Sequence, residues 1–356
     1  MQNSLQGEFQ MIKAGVIGAT GYAGATLVYL LTKHADIEIV YLASHSYAGK
    51  LFSDIYPGMS DNFNIVLDEV DMTIASNKCD VLFLALPPGI STTLIDENVI
   101  KNTVVIDLGA DFRLKDRELY KTWYKQEAPS QKLLNEAVYS LADLNPCDVK
   151  ETNLISNPGC YTTCSILTLS PLVKYNLIES NSIIINAMSG TSGAGRSNKI
   201  ANLFCEVNES VKAYGITTHR HTPEIEMALG ELTDENVMIQ FTPHLIPMNR
   251  GILSTCTAKL KKGVDKNMVD KAYRTLYQDS QFVHLLKDGQ YPETRFVKQT
   301  NRIDISYKID DRTGNIICVG AIDNLIKGAA GQAVQNMNLR FGLNESFGLD
   351  DLASNT

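Results

Sequence analysis

The sequence contains no run of about 18 apolar residues, so it offers no helix able to cross a bilayer. It has no cluster of lysine and arginine, and no basic stripe with aromatics between. Its 32 basic residues are outnumbered by 40 acidic ones, for a net charge of -8. That excludes a general nucleic-acid surface, which needs a concentrated basic face. Metal-ligand spacing is missing too. The seven cysteines are scattered, odd in number and without a C-x-x-C pair, which argues for reduced thiols in a cytoplasm over a disulfide framework or a zinc knuckle. There is no internal repeat and no low-complexity tract. The opening MQNSLQGEFQ is polar with no apolar centre, so it is not expected to be a signal peptide. Residues 1–10 read as an extension or a cloning remnant, with the fold beginning at Met11.

What is present suits two domains, since 356 residues is long for one hydrophobic core. Short apolar runs at 13–17, 37–43, 81–85 and 104–107 alternate with polar or helical stretches, among them a helical pattern over 25–33. Strand alternating with helix predicts right-handed crossovers and a parallel sheet. After residue 160 strand-like runs dominate, at 182–187, 237–241, 252–259, 303–309 and 316–322, interrupted by a helix over 265–277. The run Ile303-Asp304-Ile305-Ser306-Tyr307 alternates apolar and polar, as a sheet with one solvated face does. The expected fold class is therefore α/β: a parallel-sheet domain joined to an α+β domain with a mostly antiparallel sheet, closed by a helical segment over 328–341.

Between the first strand and the first helix lies Gly18-Ala19-Thr20-Gly21-Tyr22-Ala23-Gly24. Glycines here allow a tight turn and let a pyrophosphate approach the backbone at a helix N-terminus, as in a Rossmann-type dinucleotide domain. The bland alternative is a tight connection with no ligand. Gly18, Thr20, Gly21, Tyr22 and Gly24 are the cofactor candidates of this loop. An NAD site usually carries a carboxylate at the end of the second strand, for the ribose 2′-hydroxyl. The run Ser44-His45-Ser46-Tyr47-Ala48-Gly49-Lys50 has none. Ser44, Ser46 and Lys50 suit a 2′-phosphate, so NADP is the expected cofactor.

Chemistry is concentrated around Ser156-Asn157-Pro158-Gly159-Cys160-Tyr161-Thr162-Thr163. The Asn-Pro-Gly turn delivers Cys160 to the first turn of an apolar helix expected over 161–173. A thiol at a helix N-terminus ionises more easily, and the thiolate is the nucleophile. The alternative is a buried cysteine in a core helix. Thr218-His219-Arg220-His221-Thr222-Pro223-Glu224 is the one dense histidine cluster. If extended, it sends His219 and His221 to the same face, one for proton transfer and the other for substrate. A metal pair would need a third ligand that is not evident. The loop 188–197 offers backbone N–H groups, hydroxyls such as that of Ser189, and Arg196 as a phosphate cradle. Arg113, after a strand end of the first domain, could clamp a carboxylate, or else pair with Asp111 or Asp116. Arg250 has the same standing.

Jointly, GATGYAG (18–24), ALPPGIS (85–91), DLGADFRL (107–114), YSLADLN (139–145), SNPGCYTT (156–163), SGTSGAGR (189–196), HRHTPEI (219–225) and DNLIKGAAGQAVQNMN (323–338) closely resemble the N-acetyl-gamma-glutamyl-phosphate reductase family. The chain looks related, more distantly, to aspartate-semialdehyde dehydrogenase. The resemblance runs from about residue 11 to the C-terminus. Pro88 stands where the family usually has histidine, Thr162 where it has proline, and His45 near its usual arginine. YSLADLN replaces a Tyr-Gly-Leu-Pro-Glu-Leu run.

The resemblance implies an NADPH-dependent reduction of N-acetylglutamyl 5-phosphate to the 5-semialdehyde in arginine biosynthesis, through a thioester on Cys160. It implies that His219 moves the proton and His221 binds substrate, although the motif does not separate the two. It implies cofactor contacts at Pro87, Asn324 and Asn336. It also implies a homo-oligomer, dimer or tetramer, paired through the second domain. The expected division is an NADP domain over 11–155, rejoined by a C-terminal helix over 326–356, and a catalytic and oligomerisation domain over 156–325. The rival readings are an aspartyl-phosphate enzyme, an N-succinyl variant and a non-catalytic NADP-binding regulator. A cysteine protease would have no use for the glycine loop.

Overall fold

A computed structural model describes residues 11–59, 63–146 and 148–349. The extension at 1–10, Cys147 and the end of the 326–356 segment lie outside the described residues.

Six strands form the first sheet: β1 (Ile12–Ile17), β2 (Ile37–Ala43), β3 (Val81–Leu84), β4 (Val104–Asp107), β5 (Val138–Tyr139) and β6 (Leu154–Ser156). Their order is β2-β1-β3-β4-β6-β5, and every neighbouring pair is parallel. Such a sheet is covered on both faces, so its strands are apolar throughout instead of alternating. β3 reads VLFL and is buried at all four positions. Successive side chains enter opposite cores: Val16, Phe83 and Ile106 on one side, Ile17, Leu84 and Val105 on the other. The helix Tyr22–Thr32 crosses from β1 to β2 and packs Leu27 and Leu31 into the first of these cores. It starts three residues earlier than its periodicity suggested, because the helix begins directly on Gly21.

The second sheet has seven strands: β7 (Ile183–Ser189), β8 (Lys212–Ala213), β9 (Ile239–Leu245), β10 (Ile252–Lys259), β11 (Val283–Leu285), β12 (Ile303–Asp310) and β13 (Asn315–Ile322). The order is β11-β12-β13-β10-β7-β9-β8. Four pairings are antiparallel; β7 with β9 and β11 with β12 are parallel. β7 alternates buried and exposed along its whole length, so one face meets the core and the other does not.

Against the inner face lies the helix Cys160–Lys174, buried at 13 consecutive positions from Tyr161 to Val173. Its buried positions include Thr168 and Ser170, whose hydroxyls donate back to Cys164 O and Ile166 O one turn earlier and so need no water. Pro171 sits inside this helix and cannot donate to the Leu167 carbonyl four residues back. The Tyr277 hydroxyl, from the helix Lys266–Tyr277, donates to that carbonyl instead. The neighbouring Tyr273 hydroxyl donates to Thr168 O at 2.7 Å.

The closing segment is a π-helical turn, Ile326–Ala330, followed by the α-helix Gly331–Arg340. Bonds five residues apart, Gly328 N to Asp323 O (3.0 Å) and Ala330 N to Leu325 O (2.9 Å), define the wider turn. Ala330, Ala333, Val334 and Met337 pack into the core of the first sheet. Helical backbone stops at Arg340, short of the expected run to 356, and turns follow to 349. Among the described residues no helix is long and apolar enough to cross a membrane.

Candidate active site

The glycine loop follows β1 directly. Gly18 has φ +80°, and a Cβ there would lie 2.5 Å from Ala85 O. A Cβ on Gly24 would meet Gly18 O at 2.2 Å. These two glycines are required by the turn itself. Gly21 differs: its Cβ would have only Gly18 O within 4 Å, at 3.5 Å. Gly21 is the N-cap of the first helix, and no side chain caps it. An uncapped N-terminus over a cradle that side chains would fill fits a pyrophosphate. Thr20 Oγ1 bonds Ser44 Oγ at 2.7 Å, tying the loop to the end of β2. Ser46 and Lys50 are exposed, with the Lys50 ammonium 5.8 Å from the centre of the Tyr47 ring. Pro87 is exposed as well, and its neighbours Leu86 and Pro88 line the cleft in its place.

That cleft has a volume of about 610 Å³. Tyr22 and Ala23 of the first helix line it together with Pro158 to Tyr161, His219, His221 and Asn324. Cys160 is the first residue of its helix, one position earlier than expected, and its N-cap Gly159 provides no side-chain cap either. Two uncapped helix N-termini thus share one cleft. A Cβ on Gly328 would lie 2.7 Å from Cys160 Cβ, so the π turn packs its glycine directly on the cysteine.

The expected easy ionisation of Cys160 does not hold in this site. Burial pushes the thiol up to about 11, outweighing the helix N–H groups and Arg113, which act in the opposite direction.

The histidine segment is not extended. His219 follows a turn over 216–218, and His221 opens the helix His221–Gly230. The rings still meet, 4.8 Å between centres at 70°, because the His221 N–H donates to His219 Nδ1 at 3.1 Å. A neutral His219 therefore carries its proton on Nε2. Tyr161, Tyr214 and Phe241 surround His219 edge-on at 5.7, 5.5 and 5.3 Å. Burial lowers His219 to about 4, with Arg220 adding to the effect. It takes His221 well below its usual value, helped by His219, Arg113 and Arg220. Both imidazoles are neutral at pH 7.

Arg113 is not a free clamp, and neither Asp111 nor Asp116 is its partner. It pairs with buried Glu224 at 3.0 Å and donates to Asn157 O (3.0 Å) and Leu108 O (2.9 Å). Glu224 is the residue that sequence reasoning missed. Its Oε1 accepts from Gly159 N (2.9 Å), Thr162 Oγ1 (2.9 Å) and Tyr139 Oη (3.0 Å). The available signal was a carboxylate one turn beyond His221, on the same helix face.

The loop 188–197 does not offer its N–H groups to a phosphate. Those of Gly190, Thr191 and Ser192 donate to Gly251, Met248 and Asn249 carbonyls, and those of Gly193 and Gly195 bond within the loop. Ser189 is buried, with its hydroxyl donating to Gly190 O at 3.0 Å, and it lines the cleft. Arg196 leaves the substrate side altogether and reaches Thr20 O at 3.2 Å. Arg250 pairs with Asp323 at 3.4 Å. Asn324 lines the cleft, although its amide is already held by Gly251 N (2.7 Å) and Ser192 Oγ (3.0 Å). Asn336 is fully buried against Ser140 and Asn157, where it pins the Asn-Pro-Gly turn away from any ligand. Among the described residues no group of three His, Cys, Asp or Glu is placed to hold a metal ion.

The semialdehyde dehydrogenase NAD binding domain matches residues 13–152 and the semialdehyde dehydrogenase dimerisation domain matches residues 160–324. The N-acetyl-gamma-glutamyl-phosphate reductase of Lachnospira eligens is 52% identical over 341 residues, covering 95% of this chain and 98% of the relative. That of Campylobacter jejuni subsp. doylei is 50% identical over 346 residues, covering 96% and 99%. The fold is shared with aspartate semialdehyde dehydrogenase II from Vibrio cholerae (TM-score 0.70, 16% identity, covering 94% of this chain and 99% of that one). It is shared equally with the Candida albicans aspartate semialdehyde dehydrogenase solved with NADP (TM-score 0.69, 18% identity, covering 94% and 100%). With half its residues identical to these reductases over nearly their full length, the chain belongs to the N-acetyl-gamma-glutamyl-phosphate reductase family.

Proposed function

We propose that this chain reduces N-acetyl-L-glutamyl 5-phosphate to N-acetyl-L-glutamate 5-semialdehyde and phosphate with NADPH, as a step of arginine biosynthesis in the cytoplasm. It acts as a homo-oligomer, with residues 11–155 and the closing helix forming the NADP domain and 156–325 the catalytic domain. The carrying observation is that Cys160 stands at one uncapped helix N-terminus and that Tyr22 and Ala23, the start of the helix that follows the glycine loop, line the same cleft.

Gly18, Gly21, Gly24 and Tyr22 hold the dinucleotide, which supplies hydride when bound. The Cys160 thiol proton passes to a neutral imidazole of the His219–His221 pair. Sγ then bonds to the acyl carbon and the carbon–oxygen bond to phosphate breaks, leaving a thioester. Splitting acyl transfer this way replaces one hard step with two easier ones. Backbone N–H groups of the first turn of the Cys160 helix face the developing oxyanion. The imidazolium formed in the first step returns the thiol's proton to that oxygen as hydride arrives, while a neutral His219 offers its Nε2–H as a hydrogen bond only. After reduction the carbon–sulfur bond breaks, the aldehyde leaves and the thiol is restored.

The test is phosphate-dependent reduction of NADP by the purified protein. N-acetylglutamate 5-semialdehyde is the substrate, with aspartate semialdehyde and an N-succinyl analogue in parallel. Reduction with the acetyl compound that requires phosphate is expected. Preference for the succinyl analogue would move the pathway intermediate, and activity with aspartate semialdehyde alone would overturn the assignment.

A further inference from the structure

Arg196 belongs to the loop after β7 yet touches the first sheet's cofactor loop, 176 residues away in sequence. Its guanidinium donates to Thr20 O (3.2 Å), Tyr47 Oη (3.4 Å) and Tyr56 Oη (3.5 Å). It lies between the two tyrosine rings, 5.4 Å from the centre of Tyr47 and 5.7 Å from that of Tyr56. Among the described residues it forms no ion pair with a carboxylate. Its bonds are long and go to neutral oxygens. An exposed arginine beside aromatic rings, with only long bonds to neutral oxygens, can exchange those bonds for stronger charge-assisted ones to a phosphate oxyanion.

The position selects the anion. In an open parallel sheet the pyrophosphate sits at the first helix N-terminus and the adenosine ribose at the end of the second strand. Thr20, the residue Arg196 touches, is bonded to Ser44 at the end of β2. Tyr47 lies three residues further along the same connection. That connection carries no carboxylate to receive a 2′-hydroxyl, and its own Lys50 is exposed. Lys50 and Arg196 are both exposed and both lie beside the Tyr47 ring, at 5.8 and 5.4 Å, but Arg196 also hydrogen-bonds Thr20, Tyr47 and Tyr56 and carries a planar fork that matches a phosphate.

We propose that Arg196 is the residue that selects NADPH over NADH, binding the adenosine 2′-phosphate from the second domain. The assignment rests on the cofactor reading above. It also makes the 191–196 loop a latch: a 2′-phosphate bound to Arg196 joins the loop that neighbours Cys160's cleft to the glycine loop.

The test is fluorescence titration of the full chain with NADPH and NADH, for wild type, Arg196→Gln and Arg196→Lys. Loss of one charge-assisted contact is expected to weaken NADPH binding by roughly 10- to 100-fold in Arg196→Gln while leaving NADH within about twofold. Arg196→Lys, which keeps the charge and loses the fork, should fall between. Equal weakening of both dinucleotides would place the arginine on the pyrophosphate and overturn the proposal. So would an unchanged preference, or a change confined to the KM of the acyl phosphate. Failure of the cofactor reading would be seen separately, as a wild-type protein with no preference for NADPH.

Discussion

The Gly159 amide donates to Glu224 Oε1 at 2.9 Å, so the turn that presents Cys160 is fastened to the helix that begins with His221. The same carboxylate receives Thr162 and Tyr139 and neutralises Arg113. One buried side chain therefore fixes the Cys160 turn and the helix that opens at His221 relative to each other.

Replacing Glu224 with alanine leaves the Arg113 charge buried without its partner and strips the Gly159 N–H of its acceptor. Breaking a buried pair from one side typically costs about 3–5 kcal/mol. A urea unfolding midpoint should fall accordingly, and Glu224→Gln, which keeps an acceptor for Gly159, should lose less. Equal stability of wild type and Glu224→Ala would refute the positioning role.

At Gly21 a side chain meets little of the protein itself, in contrast to Gly18 and Gly24. Gly21→Val should fold with a nearly unchanged melting temperature and bind no NADPH. Tight NADPH binding by the folded variant would remove the glycine loop from the cofactor site.

Burial holds the Cys160 thiol near 11 in the free enzyme. Alkylation by iodoacetamide, followed as mass added at Cys160, requires the thiolate. Its rate should therefore rise about tenfold per pH unit from 7 to 10, with no plateau near the ordinary thiol value of about 8.5. A plateau at or below pH 8.5 would mean that the helix N-terminus outweighs burial. Cys160→Ala should lose turnover and this alkylation while retaining NADPH binding.

Acid should destabilise the fold through its buried histidines. His219 titrates at about 4 when folded, and His221 is also lowered. Unfolded histidines titrate near 6.5. Between those values the unfolded chain binds more protons than the folded one, so stability falls as pH drops from about 6.5 toward 4. Melting temperatures across that window should decline, and less steeply in His219→Gln. A profile for that variant as steep as wild type would show that His219 is not buried neutral.

Much of this protein is local and was therefore legible in the sequence. Continuous apolar runs separated by helices mark a parallel sheet, and alternation marks a sheet with one covered face. A glycine triplet between strand and helix marks a tight turn into a helix N-terminus that no side chain caps. Asn-Pro-Gly ahead of an apolar run puts Cys160 at a helix start within one residue. These features depend on backbone geometry over a few positions, which the residues themselves determine. The condition that the His219–His221 segment be extended is not met: a local bond from the His221 N–H to the His219 ring accompanies a helix that opens at His221. The partners of the charged and amide side chains were decided only by tertiary packing. Arg113 meets Glu224 across 111 residues, Arg196 meets Thr20 across 176 and Asn336 meets Ser140 across 196. A buried charge or amide takes whatever complementary group the packed chain brings beside it, and no period or spacing along the sequence encodes that choice.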